Sequence, residues 1–170
     1  MIRSRIVGSA LATAALAVTT VVAAGGAAGA AESEFSVTNA NSGHCLLVRG
    51  MENGTGAEQY ECGPWADQRW VFDTTYLDRP QGGGYRLKNA NSGKCLIVRG
   101  MENGTGAEQY ECGPWADQLW KKVPAAGNPD KFQLKNVNSG MCLVAQGFEN
   151  GSRVFQYPCE GWADQFWTAR

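Results

Sequence analysis

One segment constrains this chain more than any other. The stretch from Asn39 to Trp70, NANSGHCLLVRGMENGTGAEQYECGPWADQRW, returns as Asn89 to Trp120 with three changes: His44 to Lys94, Leu47 to Ile97 and Arg69 to Leu119. A looser third copy runs from Asn136 to Trp167. All three close on Gln-x-Trp, as Gln68-Arg-Trp70, Gln118-Leu-Trp120 and Gln165-Phe-Trp167. A unit of about 50 residues that cannot bury its apolar face alone must stack on its neighbours, so the copies form one repeated fold rather than three domains.

The N-terminal residues stand apart from the repeats. Arg3 and Arg5 precede an apolar run rich in Ala and Val, and Ala28-Gly29-Ala30 is a small-residue exit of the A-x-A kind. This is the pattern of a removed secretory signal peptide over residues 1–30, which leaves 31–170 as the mature chain. With 15 basic against 16 acidic residues and no charge run, nothing points to nucleic acid, and no membrane insertion is expected of the mature chain.

Export suits the cysteines, which number six at positions 45, 62, 95, 112, 142 and 159. Each copy holds one pair at the same spacing, so the simplest pairing is Cys45–Cys62, Cys95–Cys112 and Cys142–Cys159. Loops of this size stabilise by about 3 kcal/mol each on the chain-entropy argument. A zinc site is excluded by the absence of any C-x2-C spacing and by a single histidine, His44. No cofactor is implied.

Each copy opens on an alternating strand: Phe35-Ser-Val-Thr38, Tyr85-Arg-Leu-Lys88, Phe132-Gln-Leu-Lys135. A polar turn follows, and then Asn53-Gly54, Asn103-Gly104 and Asn150-Gly151 predict two-residue type I′ hairpins. Pairing around these turns sets Cys45 opposite Cys62, Leu47 opposite Tyr60 and Arg49 opposite Glu58, with Arg49–Glu58 and Arg99–Glu108 as cross-strand ion pairs. The last strand of each copy is expected to start at its Gln-x-Trp. Four short strands per copy, separated by helix-breaking segments such as Asp78-Arg-Pro-Gln-Gly-Gly-Gly84, give an all-β, barrel-like fold.

The order N-x-N-S-G-x-C-L-x-V, N-G-[TS], Y-x-C and Q-x-W resembles the ricin B-type lectin repeat across almost all of residues 35–167. The resemblance implies a β-trefoil of three four-stranded repeats with pseudo-threefold symmetry, over about 35–84, 85–131 and 132–170. It also implies shallow sugar pockets, at most one per repeat. In such proteins an aromatic ring two residues before the second cysteine stacks on the sugar, a place held here by Tyr60, Tyr110 and Tyr157. The residue before Gln-x-Trp contacts hydroxyls, and here it is Asp67, Asp117 or Asp164. The chain departs from the pattern two residues after the first cysteine, where the family places its sugar-binding aspartate. Leu47, Ile97 and Val144 stand there and cannot accept a hydroxyl hydrogen bond.

Two readings therefore compete at each candidate. The tyrosines either stack on ligand or pack on the disulfide. The aspartates either take over the missing acceptor or cap the turn before the last strand. Gln68 and Gln118 belong to the candidate carbohydrate contacts through their motif, yet with Gln165 their plainer task is to hold backbone groups. Trp65, Trp115 and Trp162 are stacking platforms if exposed, although burial beneath the barrel rim is the stronger expectation. Trp70, Trp120 and Trp167 are expected in the core.

These features describe a secreted, non-catalytic, lectin-like module for glycan or polysaccharide, with up to three weak sites of altered specificity. The alternative is a protein-interaction trefoil, an inhibitor or toxin-associated module that binds a secreted protein partner and no sugar. An enzyme is disfavoured because no Ser/His/Asp set can be assembled around one histidine.

Overall fold

The computed structural model describes residues 33–80 and 82–170. The signal peptide expected over 1–30 lies outside them. The first repeat contains β1 (Glu34–Asn39), β2 (Cys45–Val48), β3 (Ala57–Tyr60) and β4 (Arg69–Asp73). The second contains β5 (Arg86–Asn89), β6 (Cys95–Val98), β7 (Ala107–Tyr110) and β8 (Trp120–Ala125). The third contains β9 (Asn128–Asn136), β10 (Cys142–Ala145), β11 (Ser152–Tyr157) and β12 (Trp167–Ala169). The alternating sequence of each opening strand becomes alternating burial, as in β5, where Leu87 and Asn89 are buried between half-buried Arg86 and Lys88.

The outer strands of each repeat close a six-stranded barrel, so the apolar faces of all three copies meet in one interior. β1 pairs with β4, β4 with β5, β8 with β9, β9 with β12 and β12 with β1. A bridge between Tyr85 and Trp120 joins the second repeat's first and last strands. The inner hairpins β2–β3, β6–β7 and β10–β11 cap this barrel and touch one another, with β11 pairing β3 at Ser152–Gln59 and Arg153–Glu58. This is the expected trefoil.

The tryptophans of Gln-x-Trp tie barrel to cap. Trp70, Trp120 and Trp167 are fully buried, and their indole N–H groups donate to the carbonyls of Leu46, Leu96 and Leu143 at 2.9, 3.1 and 3.0 Å. Burying a ring this large while satisfying its one donor is the condition for a tryptophan in a core. The three disulfides form as expected, each with a Cα–Cα separation of 5.0 Å.

The hairpin register differs from the expectation by two residues. Cys45 lies opposite Tyr60, Leu47 opposite Glu58 and Val48 opposite Ala57, and the other repeats follow suit. The bridge to Cys62 is therefore diagonal and closes just beyond the end of β3. A two-residue shift keeps side chains on their original faces, so the apolar pattern did not expose it. No type I′ turn forms, because that turn needs positive φ at both central residues. Gly54 has φ 81° but Asn53 does not enter that region.

The reason lies in another repeat. Asn53 Oδ1 accepts the Glu111 N–H at 3.1 Å, and Asn150 Oδ1 accepts the Glu61 N–H at 2.7 Å. Gly54 and Gly151 donate their N–H groups to Gln109 and Gln59 carbonyls. The Asn-Gly segments are clips between repeats rather than isolated hairpin turns. At the position equivalent to Glu111 the third repeat has Pro158, which has no N–H to offer Asn103.

Candidate functional site

Each repeat folds its Trp-Ala-Asp-Gln segment as one turn of 3-10 helix, at Ala66–Gln68, Ala116–Gln118 and Ala163–Gln165. The glutamines thus sit in the turn, and the last strands begin one or two residues later than expected. Gln68 is buried, accepts the Gly63 N–H at 2.7 Å and donates to the Glu61 carbonyl at 2.9 Å. Gln118 does the same with Gly113 and Glu111, and Gln165 with Glu160 and Pro158. Both ends of each amide are committed to backbone, which gives the plainer of the two expected roles.

The same turn positions the aspartates, helped by residues of the following repeat. The Asn89 amide donates to the Asp67 carbonyl at 2.8 Å, Asn136 to Asp117 at 2.9 Å and Asn39 to Asp164 at 2.8 Å. Each turn opens on a tryptophan, Trp65, Trp115 or Trp162, and so has no side-chain cap. Asp67, Asp117 and Asp164 each hold an Oδ1 that is buried without a partner. Burial pushes the Asp117 and Asp164 carboxyls above the ordinary carboxylate value, and the Arg99 charge only partly offsets this for Asp117. The N–H groups of Asp117 and Gln118 also oppose burial, but neither reaches hydrogen-bond geometry with Asp117 Oδ1. An unpaired buried acceptor costs free energy wherever it occurs. Here three such acceptors recur at equivalent positions.

Two clefts contain the Asp67 and Asp117 acceptors. The first, about 460 Å³, is lined by Leu47, Arg49, Gly50, Tyr60, Trp65, Asp67 and Gln68. The second, about 400 Å³, is lined by Ile97, Arg99, Gly100, Tyr110, Trp115 and Asp117. Leu47 and Ile97 are buried floor, so the acceptor in each cleft is the aspartate before Gln-x-Trp.

The loop tryptophans overturn the expectation of burial. Trp65 and Trp115 are 53% exposed and Trp162 is 55% exposed. A glycine explains how the first two are held. A Cβ on Gly63 would stand 2.0 Å from the Trp65 ring, and one on Gly113 equally close to Trp115, so each ring rests directly on the glycine backbone. The third repeat has Glu160 at this position. Its Cβ denies Trp162 the same seat, and the ring leans toward Tyr157, at 6.3 Å between centroids and 30° between planes.

The tyrosines are all occupied within the protein. Arg49 lies 4.3 Å over the Tyr60 ring and Arg99 lies 3.9 Å over Tyr110. Here a second expected pairing fails: Arg99 reaches Glu108 at 3.4 Å, but no Arg49–Glu58 ion pair forms. The two-residue register shift sets Leu47 opposite Glu58 and Ile97 opposite Glu108, so neither arginine faces its glutamate directly and both guanidiniums lie over aromatic faces. The third repeat has Gln146 at the arginine position. The ring free for stacking in the first two clefts is therefore the tryptophan.

Sequence reasoning missed Gln59, Gln109 and Gln156, which are fully buried and build the inter-repeat frame. Each accepts a serine hydroxyl of its own copy at 2.6 Å, from Ser42, Ser92 or Ser139. Each donates to the Gly147, Gly50 or Gly100 carbonyl of another. Their triple recurrence beside an apolar strand was the available signal. Among the described residues no group of His, Cys, Asp and Glu is placed to hold a metal, and no helix is long and apolar enough to cross a membrane.

The chain matches the model of the family described as "Ricin-type beta-trefoil lectin domain-like" over residues 21–110 and 66–157. No curated protein matches it. Among solved structures, a designed threefold-symmetric protein, ThreeFoil, is similar with a TM-score of 0.73 and 23% identity, covering 80% of this chain and 96% of that one. The Macrolepiota procera ricin B-like lectin, solved in complex with lactose, gives a TM-score of 0.69 and 20% identity over 82% of this chain and 96% of its own. An exo-β-1,3-galactanase from Clostridium thermocellum gives 0.72 and 22% over 80% of this chain, which spans only 29% of the enzyme. At these identities the likeness is one of fold.

Proposed function

Because the chain belongs to the ricin-type β-trefoil lectin domain-like family, we propose that residues 31–170 are a secreted, non-catalytic module that binds glycan or polysaccharide. One observation carries this reading. In each of the first two repeats, an exposed tryptophan and a buried carboxylate oxygen without a partner share one cleft. A pyranose offers an apolar C–H face for the ring and hydroxyl donors for the carboxylate. Trp65 with Asp67 and Trp115 with Asp117 are the principal contacts. Tyr60 and Tyr110 shape the wall beneath their arginines, and Gln68 and Gln118 hold the turn. Tyr157, Trp162 and Asp164 form a third, differently shaped site. Two near-identical shallow clefts on one rigid body suit a repetitive polymer, where avidity compensates for weak single sites. Three closed disulfides support a role outside reducing compartments.

A glycan and polysaccharide panel, followed by calorimetric titration, tests the reading. Binding to at least one carbohydrate is expected, and it should be lost in the Asp67→Ala/Asp117→Ala double variant. Silence of the folded protein across a broad panel sinks it. The protein-interaction reading is favoured by a different feature, the exposed Met51, Met101 and Phe148 at equivalent hairpin tips. It expects a defined protein to be captured from culture supernatant and not to be displaced by sugar.

A further inference from the structure

We infer that the clefts of the first two repeats select acidic sugars, with Arg49 and Arg99 reading a uronate carboxylate. This rests on the carbohydrate-binding reading and names its ligand class. Each cleft pairs an acceptor-only group with a donor-only group across an apolar floor. Asp67 or Asp117 can only accept, and its unpartnered Oδ1 calls for a hydroxyl donor. Arg49 or Arg99 can only donate, through a planar fork whose shape matches a carboxylate better than a tetrahedral hydroxyl.

The fork is preorganised. The Arg49 guanidinium carbon lies 4.3 Å from the Tyr60 ring centroid and that of Arg99 3.9 Å from Tyr110, so each fork is held over its ring beside the cleft. Among the described residues Arg49 has no carboxylate within ion-pair reach, and Arg99 engages Glu108 with Nε at 3.4 Å. A sugar that satisfies both ends carries hydroxyls on one edge and a planar anion on the other, with a C–H face for Trp65 or Trp115. A uronate pyranose has this constitution. A neutral hexose fills the acceptor end and leaves the fork with poorer partners. The third repeat provides an internal contrast, since Gln146 puts no cation beside Tyr157.

The experiment titrates the full chain with oligogalacturonate and with a glucuronate-bearing oligosaccharide, each beside its carboxyl-reduced counterpart of equal length. At least one acidic member should bind about tenfold tighter than its reduced form, the gain expected of one charge-assisted contact. That margin should shrink at high salt. Arg49→Gln/Arg99→Gln should erase the margin, bringing the acidic member to the affinity of its reduced form, with the melting temperature kept because both arginines are exposed. Equal affinity for acidic and reduced forms overturns the inference and leaves carbohydrate binding standing. A margin that survives in the arginine double variant overturns the role of these residues. Failure to bind any member of either set, or of the broader panel, overturns both readings together.

Discussion

Replacing Asp117 by asparagine should make the protein more stable and a poorer binder. The Oδ1 of Asp117 is buried and accepts no hydrogen bond, and burial already drives the carboxyl upward despite the neighbouring arginine. An isosteric amide removes the charge and keeps the volume. The amide still places an oxygen or an N–H there, so the gain comes from removing a desolvated charge, and for a side chain only half-buried it is about 1 kcal/mol. For a domain of this size that corresponds to about 3–5 °C in melting temperature.

The pH dependence of this gain is distinctive. The folded-state pKa lies above the ordinary value of 3.8, so the burden of the charged form is present above the folded pKa and absent below 3.8. Calorimetric melting of Asp117→Asn and wild type should therefore differ at neutral pH and converge near about pH 3. In the same variant, affinity at the second cleft should fall about tenfold, since the hydroxyl bond loses its charge assistance. A lower melting temperature at neutral pH, or an equal gain at both pH values, would refute the argument and mean that Oδ1 already has a partner.

Further outcomes follow from other parts of the molecule. Gly63→Ala should dislodge the Trp65 ring, because the added Cβ has no room beneath it; weakened binding with a changed tryptophan emission and an unchanged far-ultraviolet spectrum is expected. Trp120→Phe should cost about 1–3 kcal/mol in denaturant unfolding, chiefly by leaving the Leu96 carbonyl without its donor. Lys122, held 3.3 Å over the Phe72 ring, has its pKa lowered by burial. Between that value and 10.5 the unfolded chain carries the extra proton, so stability should rise with pH, and Lys122→Met should flatten the slope.

Much of the frame was legible because it rests on repetition and local chemistry. Equal spacing within each copy was enough to pair Cys45 with Cys62 and its two echoes. The Gln-x-Trp tryptophans were expected in the core because each recurs once per repeat, where its last strand starts. The hairpin register was illegible for a definite reason. A shift of two residues preserves every side chain's face, so the hydrophobic pattern accepts both registers, and what all three hairpins share is a bond to another repeat, from the Gly54, Gly104 and Gly151 N–H groups to the Gln109, Gln156 and Gln59 carbonyls.

The candidate site divides along the same line. By itself the sequence determined which side chains are available: a tyrosine, a tryptophan and an aspartate per copy, with an aliphatic residue where the family would place an acid. Only the tertiary structure decided what each one does. Trp65 and Trp115 stay exposed, resting on a glycine backbone and not beneath a barrel rim. Tyr60 and Tyr110 are covered because Arg49 and Arg99 settle on their faces. The aspartates sit in turns held by two repeats at once, with each carbonyl taken by an asparagine of another repeat and each Oδ1 left without a partner. Availability is a property of one repeat's residues. Exposure, occupation and want of a partner depend on neighbours far away in the chain, and folding alone brings those neighbours together.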